Sequence, residues 1–134
     1  MVDIKRKLFF AFLIGVSLST FMFIITCTLI GLDVNQRCEI AQDKYGGDCV
    51  EALISYLKDE SNSYKLRNSA IWALGQIGDE RALPALNSFY TGTIPKKEPI
   101  DKTISQYELK KAINLASGGF NITKLIRENF IFAD

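Results

Sequence analysis

The chain is 134 residues long and almost electrically neutral, with 16 Lys and Arg against 15 Asp and Glu, so it carries no basic footprint for nucleic acid. It contains no histidine and only three cysteines, Cys27, Cys38 and Cys49. His-based triads and HExxH sites are thereby excluded, the cysteine spacing suits no CxxC-type zinc site, and neither a cofactor nor a metal is expected.

The first element follows the basic flank "MVDIKRK". Residues 8–31, "LFFAFLIGVSLSTFMFIITCTLIG", contain no charged side chain. Roughly 24 residues at about 1.5 Å each reach about 36 Å, enough to cross a hydrocarbon core with some tilt. The run from Leu8 to Gly31 is longer than the apolar part of a signal peptide, and no small-x-small cleavage site follows it, so it reads as an uncleaved signal anchor. "IITC" before Cys27 is a poor lipidation box, with Thr26 where a smaller Gly, Ala or Ser belongs. Lys5, Arg6 and Lys7 precede the run, while acidic residues dominate the segment after it. Positive-inside places the N-terminus in the cytoplasm and residues 32–134 outside it. Gly15 and Ser19 offer a small-xxx-small contact between helices, as in a small structural subunit of a membrane complex.

Residues 32–47 form a juxtamembrane segment, in which residues 33–44 can make an extra helix. Cys38 and Cys49 flank the turn "YGG". In an oxidising compartment they either bridge, tying this segment to the first domain helix, or remain as two thiols, one buried as a small hydrophobe.

Residues 48–134 are read as one all-α domain. "DCVEALISYLKD" puts Val50, Leu53, Ile54 and Leu57 on one helical stripe, with Asp48 and Glu51 as cap and N3 partner. Ser63 caps the next helix, where Leu66, Ala70, Ala73 and Ile77 fall in a narrow arc that predicts the core face. Gly78 ends it and Asp79 caps a third helix, in which Pro84 demands either a kink or a late start. The residues of "TGTIPKKEP" form a loop. "SQYE" is a capping box opening a helix at Ser105, and "GGF" closes it. Asn121 caps a last helix, which better explains the residue than its "NIT" glycosylation sequon does.

The domain repeats itself. Sliding Arg67 onto Lys110 lays Leu66 on Leu109, Ala70 on Ile113, Ala73 on Ala116 and Gly75 on Gly118. Val50, Leu53 and Leu57 likewise fall on Leu83, Leu86 and Tyr90. Two-helix units of roughly 30–45 residues signal an α-solenoid. "RNSAIWALGQIGDERALPAL" resembles the HEAT-like repeat of the phycobilisome-lyase subtype, in which a helix ends in A-L-G-x-I-G and is followed by D-x-R-A and an apolar helix. The resemblance covers residues 48–90 well and 104–132 poorly. It implies stacked antiparallel helix pairs, often with a proline in the first helix, and it suggests kinship with bilin lyases and isomerases. Asp59 stands further upstream of Arg67 than the family's Asp–Arg ladder has it. The small residues of the phrase have a packing use: Ala70 and Ala73 let helices approach, and Gly75 has no side chain to hold a partner off.

The fold class that results is all-α: a single transmembrane helix followed by a short α-solenoid of antiparallel pairs. Such solenoids work by surface, and no convergent catalytic groups are present, so a protein-interaction scaffold is expected rather than an enzyme. Opposite the predicted core stripe, Lys65, Asn68, Trp72 and Gln76 cluster. The next unit adds Glu108, Lys111 and Leu115, with Leu115 beside Trp72. An aromatic rimmed by polar residues resembles an interface anchor; the alternative is that Trp72 packs on a neighbouring helix. The end of the chain, with Phe130, Ile131 and Phe132, either folds under the last helix or completes the array with a partner, including a second copy through the C-terminal helix.

Overall fold

The computed structural model describes residues 2–131, and all of its regular structure is helical. Helix α1 runs from Val2–Tyr45, α2 from Cys49–Lys58 and α3 from Tyr64–Ile77. A 3-10 turn at Glu80–Ala82 leads into α4, Leu83–Phe89. Helix α5 spans Gln106–Ala116, and α6, Ile122–Ile126, continues as a π-helical turn over Arg127–Ile131.

The uncharged run at residues 8–31 and the helix expected at residues 33–44 are one object. Helix α1 passes through Gly31 and Asp33 without a break, and stops only where Gly46 and Gly47 take left-handed conformations (φ 70° and 77°). Its surroundings change along its length. Residues 3–24 are exposed on every side, Phe12 by 67 %. From Cys27 onward a stripe is buried: Cys27, Gly31 and Val34, and further on Ala41. The first part of α1 is the one described helix long and apolar enough to cross a membrane by length and composition.

The last turn of α1 is tied down by polar groups. The Lys44 ammonium donates to Asp59 (3.2 Å) and to Asn62 Oδ1 (2.8 Å), and the Tyr45 hydroxyl donates to Asp59. Asn62, itself buried, donates to the Tyr56 carbonyl at 2.9 Å. Hydrogen bonds from Ser61, Tyr45 and Lys44 hold the Asp59 carboxyl well below the usual carboxylate range.

The capping residues legible in the sequence all act as caps. Asp48 accepts from the Glu51 amide, Ser63 from Leu66, Ser105 from Glu108 and Asn121 from Lys124. Gly78 closes α3 in the left-handed region (φ 65°). Pro84 resolves to the late start: the 3-10 turn absorbs the corner and the proline sits in the first turn of α4. Arg81 then joins two caps, reaching Asp48 at 2.5 Å and Asp79 at 2.9 Å, and both carboxyls are lowered by its hydrogen bonds.

The core stripe of α3 needs correction. Ala70 and Ala73 are buried as expected, but Leu66 is 41 % exposed and Ile77 only half-buried, while Arg67, Ile71 and Leu74 are buried as well. Arg67 is the reason the phase was misread. A charged residue counts as polar in a periodicity argument, yet here its Nε donates to the Leu57 carbonyl (2.8 Å), one of the orphan acceptors ending α2. Its guanidinium also lies 5.5 Å from the Phe89 ring centre. No Asp59–Arg67 ladder forms, because Asp59 serves Lys44 and Tyr45 instead. The internal repeat shifts accordingly. The buried residues of α5 are Leu109, Ala112 and Ala116, which match Arg67, Ala70 and Leu74, one place away from the register expected.

Helix α3 packs on α2 with one face and on α5 with another. The second contact is closest at Gly75, where an added Cβ would lie 2.8 Å from the Ala112 Cα. The C-terminal segment returns to the start: α6 and its extension contact α1 and hang from the end of α3. The side chains of Phe130 and Ile131, and Phe132 with the two residues after it, lie outside the described residues.

Two outcomes follow. Gly75→Ala gains helix propensity of about 1 kcal/mol in an isolated helix, yet it should lower stability by about 1–3 kcal/mol here, read from urea unfolding, because the backbone of α5 blocks the methyl group. The second concerns pH. The carboxyls of Asp48, Asp59, Asp79 and Glu98 all titrate lower in the folded chain than unfolded. Their stabilisation is therefore present above their ordinary range of about 4 and is lost as pH falls through the lowered folded values. The melting temperature should be flat from neutral pH to about 5 and fall below about 4, less steeply at high salt because these groups keep partial access to solvent.

Candidate interaction groove

Where the sequence pointed to a ridge, the structure has a groove with Trp72 as its wall. Helices α3 and α5 lie side by side and run the same way, since Asn68 meets Ser105 at their starts and Gly75 meets Ala112 near their ends. Trp72 lies between these two contacts on the same face of α3, half-buried and packed against the core. On one side it faces Arg37, Lys65, Leu66 and Ile100; on the other it shares a narrower cleft with Lys111 and Leu115.

Two of the expected binding residues, Asn68 and Gln76, prove to be internal fasteners. Asn68 is 6 % exposed; its amide donates to the carbonyls of Ile100 (2.9 Å) and Thr103 (2.8 Å), and its oxygen accepts the Ser105 amide (2.8 Å). It pins the loop between α4 and α5 onto α3. Gln76 holds α6: its side chain accepts from the Thr123 hydroxyl (2.7 Å) and its carbonyl from Asn121 (3.0 Å). Lys65 and Lys111 are exposed, and Trp72 and Leu115 half-buried, so these four remain as groove residues.

Three contributors were missed. Arg37 arrives from α1, held by Asp33 one turn earlier (3.3 Å), and Ile100 arrives from the loop. Neither shows in the pattern of α3, since both depend on what packs beside it. The third is Glu98, which belongs to the loop "TGTIPKKEP" and caps α5. It accepts from the Ser105 hydroxyl (2.7 Å) and from the amides of Gln106 (2.6 Å) and Tyr107 (3.2 Å). Burial alone would raise its pKa, but these hydrogen bonds outweigh burial and lower it. A helix start supported by its own preceding loop positions the groove's second wall.

Electrostatically the rim is cationic. Arg37, Lys65 and Lys111 surround Trp72, with Glu108 as the acidic member, 3.4 Å from Lys111. Below the groove Cys38 and Cys49 are paired, their Cα atoms 4.9 Å apart, and Cys27 is a buried free cysteine. No group of three His, Cys, Asp or Glu side chains able to hold a metal ion occurs among the described residues.

Residues 33–93 match the family model for HEAT repeats. Neither a curated protein nor a solved structure matches the chain. The chain is thus an all-α protein with a HEAT-like repeat region that starts on α1 itself and ends after α4. Repeat regions of this kind work by presenting a surface to a partner.

The division between fasteners and groove residues is measurable. Asn68→Ala leaves a buried amide and two carbonyls without partners, and should cost about 1–3 kcal/mol in chemical denaturation. Lys65→Ala on the exposed rim should stay within about 0.5 kcal/mol of the parent. Equal losses for the two would place Lys65 in the packing.

Proposed function

We propose that this chain is a membrane-tethered protein-interaction module. Residues 8–31 cross the bilayer with the N-terminus in the cytoplasm, and the HEAT-like region presents the Trp72 groove on the other side. The observation that carries the reading is the groove's construction. A large aromatic side chain is left half-buried, with Arg37, Lys65 and Lys111 around it. Aromatic anchors in partly desolvated clefts dominate binding energies, and cations at the rim steer approach and choose sign. The partner that fits is an acidic protein segment offering an apolar side chain to Trp72. Pairing of Cys38 with Cys49 agrees with an extracytoplasmic, oxidising location, as does the charge asymmetry around residues 8–31.

The test uses a photo-crosslinking side chain at Lys65 in the native membrane, with Asn87 on α4 as a control position. Capture from Lys65 but not Asn87 is expected, and it should disappear in Trp72→Ala and in Leu115→Ser, each of which costs about 2 kcal/mol or more of binding at a hot spot. Trp72 packs against the core, so folding of each variant is checked by helicity. Capture that is indifferent to both changes in folded protein contradicts the groove assignment.

A further inference from the structure

A second apolar surface stands away from the groove. Phe120 is 80 % exposed, Leu125 51 % and Ile122 42 %, all within the short stretch that opens and forms α6. This is not a loose end. Asn121 and Thr123 fasten it to Gln76, and the Lys124 ammonium donates to the Gly78 carbonyl at 3.1 Å. The same stretch and its π-helical extension contact α1. Among the described residues, the part of α1 buried outside the main core is the stripe Cys27, Gly31 and Val34, which places that contact where the uncharged run ends. Just before this stripe, residues 8–24 of α1 are uncharged and exposed on every side, so the apolar surface of α1 ends beside α6.

The geometry points to α6 as a second membrane contact: Phe120, Ile122 and Leu125 sit in the interfacial layer of the bilayer beside the exit of α1. The inference rests on the reading that α1 spans the membrane. A lipid surface suits this patch better than a protein because of its position. Any surface attached to α1 at residues 27–34 is held against the headgroups once residues 8–31 are inserted, and apolar side chains there leave water by entering the interface. The consequence is orientational. One helix through a bilayer leaves the attached domain free to swivel about it and to lean. A second contact at α6 fixes both motions, and α3, which carries Trp72, is fastened to α6 through Gln76.

The experiment places a single tryptophan in the full chain, reconstituted in phosphatidylcholine vesicles, on a Trp72→Phe background. The sites are Leu13→Trp, Phe120→Trp, Leu125→Trp and Asn87→Trp, and the readout is quenching by lipids brominated either near the headgroup end or deep in the acyl chain. The expected result is deep quenching at Leu13, quenching at Phe120 and Leu125 by the shallow bromine, at roughly 5–10 Å of depth, and none at Asn87. Quenching at Leu13 with none at Phe120 and Leu125 overturns the second contact and leaves the span intact. No quenching at Leu13 removes the span and the inference together. Should one of the α6 variants lose helicity, the other decides.

Discussion

A single helix in this chain has to satisfy two environments. Over residues 8–24 α1 is uncharged and largely apolar on every face, which no water-facing helix of a globular protein is at such length. From Cys27 onward the same helix acquires a buried stripe, then a cationic groove residue at Arg37, a paired cysteine at Cys38 and the polar knot at Lys44 and Tyr45. Because no break intervenes, whatever holds the first part holds the repeat region by a rigid rod. Everything else is arranged against that rod: α2 packs on it, α3 lies beside α2, and α6 comes back to it.

Within the repeat region the sandwiched helix is α3. Packed on α2 and on α5, it has little surface left for water, so its polar residues had to find partners inside. Arg67 takes the open carbonyl of Leu57, Asn68 takes two carbonyls and an amide of the following loop, and Gln76 takes α6. The small residues allow this crowding: Gly75 lets α5 come closer than any side chain would permit. What is left over is Trp72, too large to be enclosed between two helices at that spacing, and it becomes the wall of the groove.

The local chemistry of this fold was legible before its packing was. Capping residues act on backbone groups three positions away, so Asp48, Ser63, Ser105 and Asn121 could be read directly, as could the left-handed Gly78 and the displaced start of α4 at Pro84. Burial could not, because it depends on neighbours. A one-sided stripe was assumed for α3, and two-sided packing put the buried face one residue later, on an arginine that hydrophobic periodicity discards. The same slip carried into the internal repeat. Half of the groove was visible as an aromatic beside lysines. Arg37, Ile100 and Glu98 came from other elements, and no pattern within α3 or α5 announces them. The continuity of α1 was hidden by Gly31 and the sudden change of composition after it, both of which resemble a boundary although the backbone continues.

The rigid coupling of the apolar run to the repeat region is the claim from which the orientation of the groove follows. Amide hydrogen exchange on the full chain in lipid nanodiscs tests it most directly. The account predicts protection that continues unbroken from the apolar run through Gly31, Leu32 and Asp33 to Ala41. A fast-exchanging gap at Gly31–Asp33 between two protected segments would contradict it, leaving a tether and a domain joined by a hinge.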